Sequence, residues 1–380
     1  MHRRKILEKK NKSVLFLGTS QIQVESILSA KKFGLKVIGV DYNKFASGRK
    51  YCDHFIESNC NEINFIFNKI LKLRNLELID IWANNDILLI SRNKLLKRFK
   101  IKPENNDLTI KTLLNKKKFK ILFPKEIIDG SRKKFPLIAK PTKGSGSQGI
   151  IFLKNKSDYL SLKNKKRFIF EKYFKNLKEY GINFYKIKQE LLILNSVYRY
   201  FDHNITFAPL GTVEINNNEI SRFLKIIKDK IFELNIFGKL KIDLGICGNK
   251  FFIIEASNRF HGEIDTSTLF SFRNNSLSDF YFSRLTNKKI RNTKKVDNFL
   301  YGYIVCYKKK QISEYKKIFK ENRINFVKFL KRDNYIEHTK RAKYLSTKDI
   351  FGYAFYKTKK KIPDIKFTRI SHRINNFKNG

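Results

Sequence analysis

The stretch KIDLGICGNKFFIIEAS, residues 241–257, sets two apolar runs around a Gly-Asn turn, the pattern of a β-hairpin. Each run carries one carboxylate, Asp243 in the first and Glu255 in the second. An idle carboxylate is costly to bury among apolar residues, and two brought together repel unless a cation lies between them. Register decides whether they meet, because side chains along a strand alternate between faces. A three-residue loop of Gly248, Asn249 and Lys250 pairs Cys247 with Phe251 and sets Asp243 directly across from Glu255 on one face. A two-residue turn of Gly248 and Asn249 sets the two acids on opposite faces. A metal-binding reading therefore expects the odd-length loop, with oxygen ligands of the kind that suit Mg²⁺. The alternative is a pair of solvated strand acids.

A second loop lies upstream. In FPLIAKPTKGSGSQGIIFLK, residues 135–154, a Gly/Ser segment separates two apolar runs and Lys140 closes the first of them. Gly144, Gly146 and Gly149 let backbone N–H groups approach a phosphate closely, while Ser145 and Ser147 offer hydroxyls. In a Walker A loop the lysine follows the glycines and opens a helix; here it precedes them and a strand follows. Taken alone, the segment reads equally well as a phosphate cradle and as an ordinary flexible turn.

Further out, SVLFLGTSQIQVESILSAKKFGLKVIGVDYN reads as a strand, a glycine turn, a helix and a second strand ending in Asp41, the β-α-β opening of a Rossmann-like sheet. ELIDIWANNDILLISRNKLLKRF adds a strand and a helix. The turn GTSQIQ lacks the second and third glycines of G-x-G-x-x-G, so plain sheet architecture explains it better than a dinucleotide site at Asp41. IKTLLNKKKFK predicts a short helix ended by Pro124. SRFLKIIKDKIFELNIF predicts an amphipathic helix with Phe223, Leu224, Ile227, Ile231 and Leu234 on one side and Gly238 as its stop. The final 90 residues, with FLYGYIVCYK and FGYAFYK, read as strand-rich.

The 380 residues allow two or three domains or one enzyme of several lobes. Lys and Arg number 81 against 34 Asp and Glu, a formal net charge of +47. That charge invites a nucleic-acid partner, but the lysines run the whole length alongside abundant Asn, Ile and Phe. This is the profile of an A- and T-biased coding sequence rather than of one basic face. Cys52, Cys60, Cys247 and Cys306 show neither C-x-x-C spacing nor the pattern of a stapled secreted fold. The opening MHRRKILEKKNKSVLFLGTS has an apolar run too short for a signal peptide, and no run approaches a membrane span, so a soluble protein of the cytoplasm is expected.

FPLIAKPTKGSGSQGI, then FIFEKYFKNLKEYGINFY, then KIDLGICGNKFFIIEASNRFHG, in this order and at about these separations, resemble the ATP-grasp superfamily, and in particular its branch with biotin carboxylase and the large subunit of carbamoyl-phosphate synthase. The resemblance covers about residues 12–290. It implies a multi-lobe α/β and α+β protein. A Rossmann-like domain (1–105) precedes an ATP-grasp small lobe with the phosphate loop (106–185). A large lobe with a Mg site (186–290) and a strand-rich C-terminal lobe with a basic tail (291–380) follow. It also implies an ATP-dependent carboxylate–amine or carboxylate–thiol ligase acting through an acyl-phosphate, with ATP and Mg²⁺ (or Mn²⁺) as cofactors. The implied partners are small-molecule carboxylates and amines, bound between the N-terminal sheet and the 260–290 segment, with a homodimer among the expected assemblies.

Carried over position by position, the resemblance puts Lys140 on the nucleotide phosphates under a mobile loop of residues 144–149, with Lys111 as an earlier phosphate contact. Glu171, Tyr173 and Phe174 fall where the hinge strand meets the adenine, and Glu179 where a carboxylate holds the ribose hydroxyls. Asp243 and Glu255 are the metal carboxylates, and Arg259 stabilises the transferring phosphoryl group, unless it forms a structural ion pair. His261 is a positioned polar neighbour rather than a base. The sequence departs from the family pattern E-x-N: Ser257 stands in the asparagine's place. Either Asn258 substitutes through a bulge, or a second metal is held loosely. A nucleotide-binding protein without turnover is the alternative.

Overall fold

The computed structural model describes residues 10–123, 127–128, 130, 134–142, 146–202, 206–261, 276–290, 298–308, 312–333 and 347–375. The chain divides into two compact units, the first comprising 1–107 and 262–296, the second 108–261 and 297–380.

In the first unit, strands β1 (Asn11–Leu17), β2 (Lys36–Asp41), β3 (His54–Glu57) and β4 (Leu76–Trp82) form a parallel sheet in the order β3-β2-β1-β4. The central β1 places Val14, Leu15, Phe16 and Leu17 fully out of solvent, as expected for a strand covered on both faces. Helices α1 (Val24–Lys32), α2 (Ile63–Leu71) and α3 (Leu89–Arg98) alternate with the strands. The turn after β1 is closed from within. The Thr19 N–H donates to Asp41 Oδ2 (2.8 Å) and the Asn43 N–H to Asp41 Oδ1 (2.9 Å), so the Asp41 carboxylate serves its own loop.

In the second unit, the lysine-rich stretch is two short helices rather than one, α4 (Asp107–Leu114) and α5 (Lys116–Leu122). Asn115 separates them because its side chain caps α5, accepting from the Lys117 and Lys118 N–H groups. The expected terminator, Pro124, lies outside the described residues. A three-stranded antiparallel sheet follows, β6-β5-β7, built from β5 (Leu137–Pro141), β6 (Ile151–Leu153) and β7 (Phe168–Lys172), with α6 (Lys156–Ser161) between the last two. Leu137, Ala139 and Leu153 form its buried face.

The larger sheet has eight strands. It contains β8 (Lys178–Ile187), β9 (Glu190–Tyr200), β10 (Gly211–Glu214), β11 (Gly238–Cys247), β12 (Lys250–Ser257), β13 (Leu300–Cys306), β14 (Asn325–Lys331) and β15 (Gly352–Thr358), in the order β12-β11-β8-β9-β10-β13-β15-β14. Between β10 and β11 lies α7 (Ser221–Glu233), burying Phe223, Leu224, Ile227 and Ile231. It stops at Glu233, earlier than Gly238, whose left-handed φ of +72° instead opens β11.

Two helices complete the second unit, α9 (Ile312–Glu321) and α10 (Asp364–Asn375), and Tyr200 stacks on Phe367 of α10 with ring centroids 3.7 Å apart. Among the described residues, the strand-rich reading of the final stretch thus meets three strands and two helices. The helix before them, α8 (Leu277–Thr286), belongs to the first unit, where a Ser276–Asp279 capping box starts it and Ser29 Oγ donates to Asp279 Oδ1 at 2.6 Å. Among the described residues no helix is long and apolar enough to cross a membrane, and all four cysteines are free.

Candidate active site

β11 is buried along nearly its whole length, but its two faces differ in chemistry. Leu240, Ile242 and Leu244 point to one side, and Lys239, Lys241 and Asp243 to the other. The neighbouring strands continue the polar face. Register places Gly181 of β8 and Glu255 of β12 beside Asp243, Asn183 and Ser257 beside Lys241, and Arg199 of β9 beside Glu179.

The β11–β12 hairpin reaches this arrangement by a route other than the expected three-residue loop. Cys247 pairs with Lys250 across a two-residue turn, with Gly248 at φ +58°, where a II′ turn takes its glycine. Left uninterrupted, that register would send the two acids to opposite faces. A bulge intervenes: Leu244 pairs with Ile253, whereas Asp243 pairs with Glu255, so Ile254 is the extra residue. One inserted residue restores the parity that the loop alone would have lost, and the carboxylates share a face.

Asp243 is closely held. Its Oδ1 is 3.0 Å from Arg199 Nη1 and 2.7 Å from His261 Nε2, and its Oδ2 is 3.5 Å from Lys241 Nζ. Burial alone would raise its pKa, but Arg199, Lys241 and His261 outweigh burial and hold it well below the usual carboxylate range. Burial also pushes the His261 imidazolium down to about 4 against the pull of Asp243, which leaves a neutral ring. The His261 backbone N–H donates to Asn183 Oδ1 at 2.9 Å, and Asn183 Nδ2 donates to Asn195 Oδ1 at 2.7 Å. Gly181 makes the crowding possible: a Cβ there would sit 3.0 Å from His261 Nε2 and 3.1 Å from Arg199 Nη2.

Glu255 is the more open acid, with 30% of its side chain exposed and Oε1 at 2.7 Å from Lys241 Nζ. Lys140, on β5, brings the smaller sheet into the cluster. Its Nζ lies 2.7 Å from Glu171 Oε2, and Glu171 Oε1 is 3.7 Å from Lys120 Nζ. Burial works against the Lys140 charge, but Glu171, with Glu179 and Glu255 behind it, outweighs burial and raises its pKa. Burial pushes the Glu179 carboxyl up to about 7, with Lys140 and Arg199 pulling the other way.

Of the hinge residues, Tyr173 donates its N–H to the Pro136 carbonyl (3.0 Å) and Phe174 stacks on Phe252 at 5.2 Å. Gly144 and Ser145 lie outside the described residues. Past them, Gly146 (φ +66°) and Ser147 (φ +59°) form a pair of left-handed positions. Ser147 Oγ donates to the Phe207 carbonyl at 2.8 Å, and the Gly146 carbonyl accepts from Thr347 Oγ1 at 3.3 Å.

Lys111 is exposed on α4. Ser257 is fully buried opposite Lys241. Asn258 turns its amide towards β11, where Nδ2 donates to the carbonyls of Lys239 (2.6 Å) and Phe237 (3.1 Å). Arg259 is buried, with Nη1 donating to the Phe260 carbonyl at 2.9 Å. Of the 260–290 segment expected to line an acceptor pocket, residues 262–275 lie outside the described residues.

Lys241, Arg199 and Asn183 are members of the cluster that the sequence reading did not name. Lys241 carried a signal, since it precedes Asp243 by two strand positions and so shares its face. As a metal site, the donor set fits in part. Glu255 presents an accessible carboxylate, but an ammonium occupies the space between it and Asp243. Among the described residues no three His, Cys, Asp or Glu side chains gather to hold an ion.

The fold, as distinct from the site, is shared with solved proteins. An L-amino acid ligase from Bacillus licheniformis superimposes with a TM-score of 0.71 at 12% identity, covering 96% of this chain and 98% of its own. N5-carboxyaminoimidazole synthetase from Staphylococcus aureus complexed with ADP gives 0.66 at 14% identity, covering 91% and 92%. The fold is the ATP-grasp fold. ATP-grasp structure thus extends over nearly the whole chain, while sequence similarity is local. Formate-dependent phosphoribosylglycinamide formyltransferase from Prochlorococcus marinus (strain MIT 9515) is 27% identical over 166 residues, 39% of this chain and 42% of that relative. The chain therefore matches less than half the length of this curated relative. No protein-family model matches the sequence.

Proposed function

We propose that this protein is an ATP-dependent ligase that joins a small-molecule carboxylate to an amine or thiol through an acyl-phosphate. The observation that carries the reading is the convergence, in one ATP-grasp unit, of Lys140 from the β5–β6 hairpin with Glu179, Asp243 and Glu255 on the polar face of the larger sheet. In this reading the Rossmann-like first unit precedes the two lobes of the second. The glycine loop covers the phosphates, Lys140 contacts them, the segment from Glu171 to Phe174 meets the adenine, and Glu179 accepts hydrogen bonds from the ribose. Glu255 would hold, from the protein side, a magnesium ion brought with the nucleotide, and that ion would supply neutralisation of phosphate charge. Catalysis is then positioning plus electrostatics and uses no protein nucleophile. Arg259 faces the transferring phosphoryl group, and Arg199 and His261 fix Asp243.

One observation favours the second reading, nucleotide binding with weakened or no turnover: Lys241 already satisfies both carboxylates. ADP release from ATP, assayed with pooled carboxylates and amines, separates the two. The ligase reading expects release that depends on an acceptor pair and is lost in Lys140→Ala. Nucleotide binding with no release from any pool supports the second reading.

A further inference from the structure

Lys241 is buried at 6% exposure, in a strand whose polar face offers it two anions, Glu255 Oε1 at 2.7 Å and Asp243 Oδ2 at 3.5 Å. A buried ammonium is strongly penalised unless paired, so these contacts fix it in place rather than leave it as a mobile surface charge. The remaining oxygen of Asp243 already receives Arg199 and His261. Two carboxylates are thus met by two permanent cations, Lys241 and Arg199, before any ion arrives. A second divalent ion bridging Asp243 and Glu255 would have to displace the ammonium and then sit beside Arg199. Glu255 is the exception, because it is the acid with an exposed portion from which to meet an ion carried on a nucleotide. The other candidate for a second ligand is fixed against β11, since Asn258 Nδ2 donates to the carbonyls of Phe237 and Lys239.

We propose that the Lys241 ammonium is a resident cation standing where a second divalent ion would bridge Asp243 and Glu255, so that the site takes up one divalent ion with each nucleotide instead of two. The inference rests on the nucleotide-site reading above. Lys241 acts here as a positioning and charge-balancing residue, and its role is visible in metal stoichiometry without any turnover.

The test is a Mn²⁺ titration of the full chain, followed by electron paramagnetic resonance, with a non-hydrolysable ATP analogue at saturation and the ions on free analogue subtracted. Analogue binding is measured separately by calorimetry. The wild type is expected to hold one Mn²⁺ per bound nucleotide. Lys241→Met is expected to hold two, the second at least about tenfold tighter than any second ion on the wild type, and Lys241→Arg, which keeps the charge, to hold one. Two tightly bound ions in the wild type, or one in both wild type and Lys241→Met, overturns the proposal. If Lys241→Met fails to fold, as read by circular dichroism, Lys241→Gln takes its place and the wild-type count still decides. Absence of analogue binding to the wild type brings down the nucleotide reading itself, an outcome distinct from a count of two.

Discussion

Two buried aspartates, one in each unit, show how similar contacts can serve different ends. Asp80 ends one side of a closed arrangement. Arg92 Nη2 lies 3.2 Å from its Oδ1, Tyr281 donates to its Oδ2 at 2.6 Å, and Arg92 also donates to the Ile81 carbonyl at 2.6 Å. Tyr281 itself packs against Trp82 and Phe282, which pack against each other. Asp243 has its own arginine at 3.0 Å, yet it sits on a face that continues into Glu255 and Glu179 and reaches the Lys140–Glu171 pair. The first is a closed ion pair, Asp80 with a buried arginine, beside packed aromatic rings. The second belongs to a field of charges with an accessible carboxylate at its edge, which is the form a site needs if a charged ligand is to enter.

If that distinction is right, mutations at the two places separate activity from stability. The largest effect is expected for Lys140→Ala, which removes a charge from the phosphate side: ATP turnover should fall by at least about 10²-fold, measured as ADP release on protein verified as folded, a loss beyond the stability cost of leaving Glu171 with Lys120 at 3.7 Å. Asp80→Ala should do the reverse. It leaves the buried Arg92 with Glu104, at 3.7 Å, as its nearest acid, and should cost about 3 kcal/mol in denaturant unfolding while nucleotide affinity in the folded protein stays the same. Gly181→Ala sharpens the comparison at Asp243 itself. The new methyl forces His261 and Arg199 to shift, and nucleotide affinity should fall by about tenfold for less than about 1 kcal/mol of stability, checked by calorimetry and urea unfolding.

The smallest effect is in pH dependence. Glu179 is raised to about 7 in the folded protein, so its stabilising contribution is present below its ordinary pKa of 4.5 and is lost as pH rises through about 7. The ionised form is the better acceptor for sugar hydroxyls. Nucleotide affinity should therefore rise severalfold through pH 7 as stability declines, and both trends should flatten in Glu179→Gln. A slope retained in that variant would assign the titration to another group.

Much of this was legible in the residues. Alternating apolar runs around Gly248 and Asn249 gave the hairpin, the helical spacing of Phe223, Leu224, Ile227 and Ile231 gave α7, and Lys140 before the glycines marked the smaller sheet. The bulge at Ile254 was not legible, since no glycine or proline signals it and parity can be restored by loop or by bulge with the same composition. Nor was the break at Asn115, where a capping side chain divided one helical pattern into two. The fates of Asn258 and Lys241 depend on which backbone carbonyls and carboxylates lie within reach across β11 and β12, a matter of register that residue types alone leave open. Placement of Leu277–Thr286 with the first unit likewise rests on distant partners such as Ser26, whose Oγ is 2.6 Å from that of Ser278.

The central claim is that Lys140 and Glu255 face one nucleotide, and the most direct measurement is ADP release from ATP with pooled carboxylates and amines, run on wild type, Lys140→Ala and Glu255→Ala, each first verified as folded. The account predicts acceptor-dependent release by the wild type and none above background by either variant. Release by both variants at the wild-type rate would contradict it.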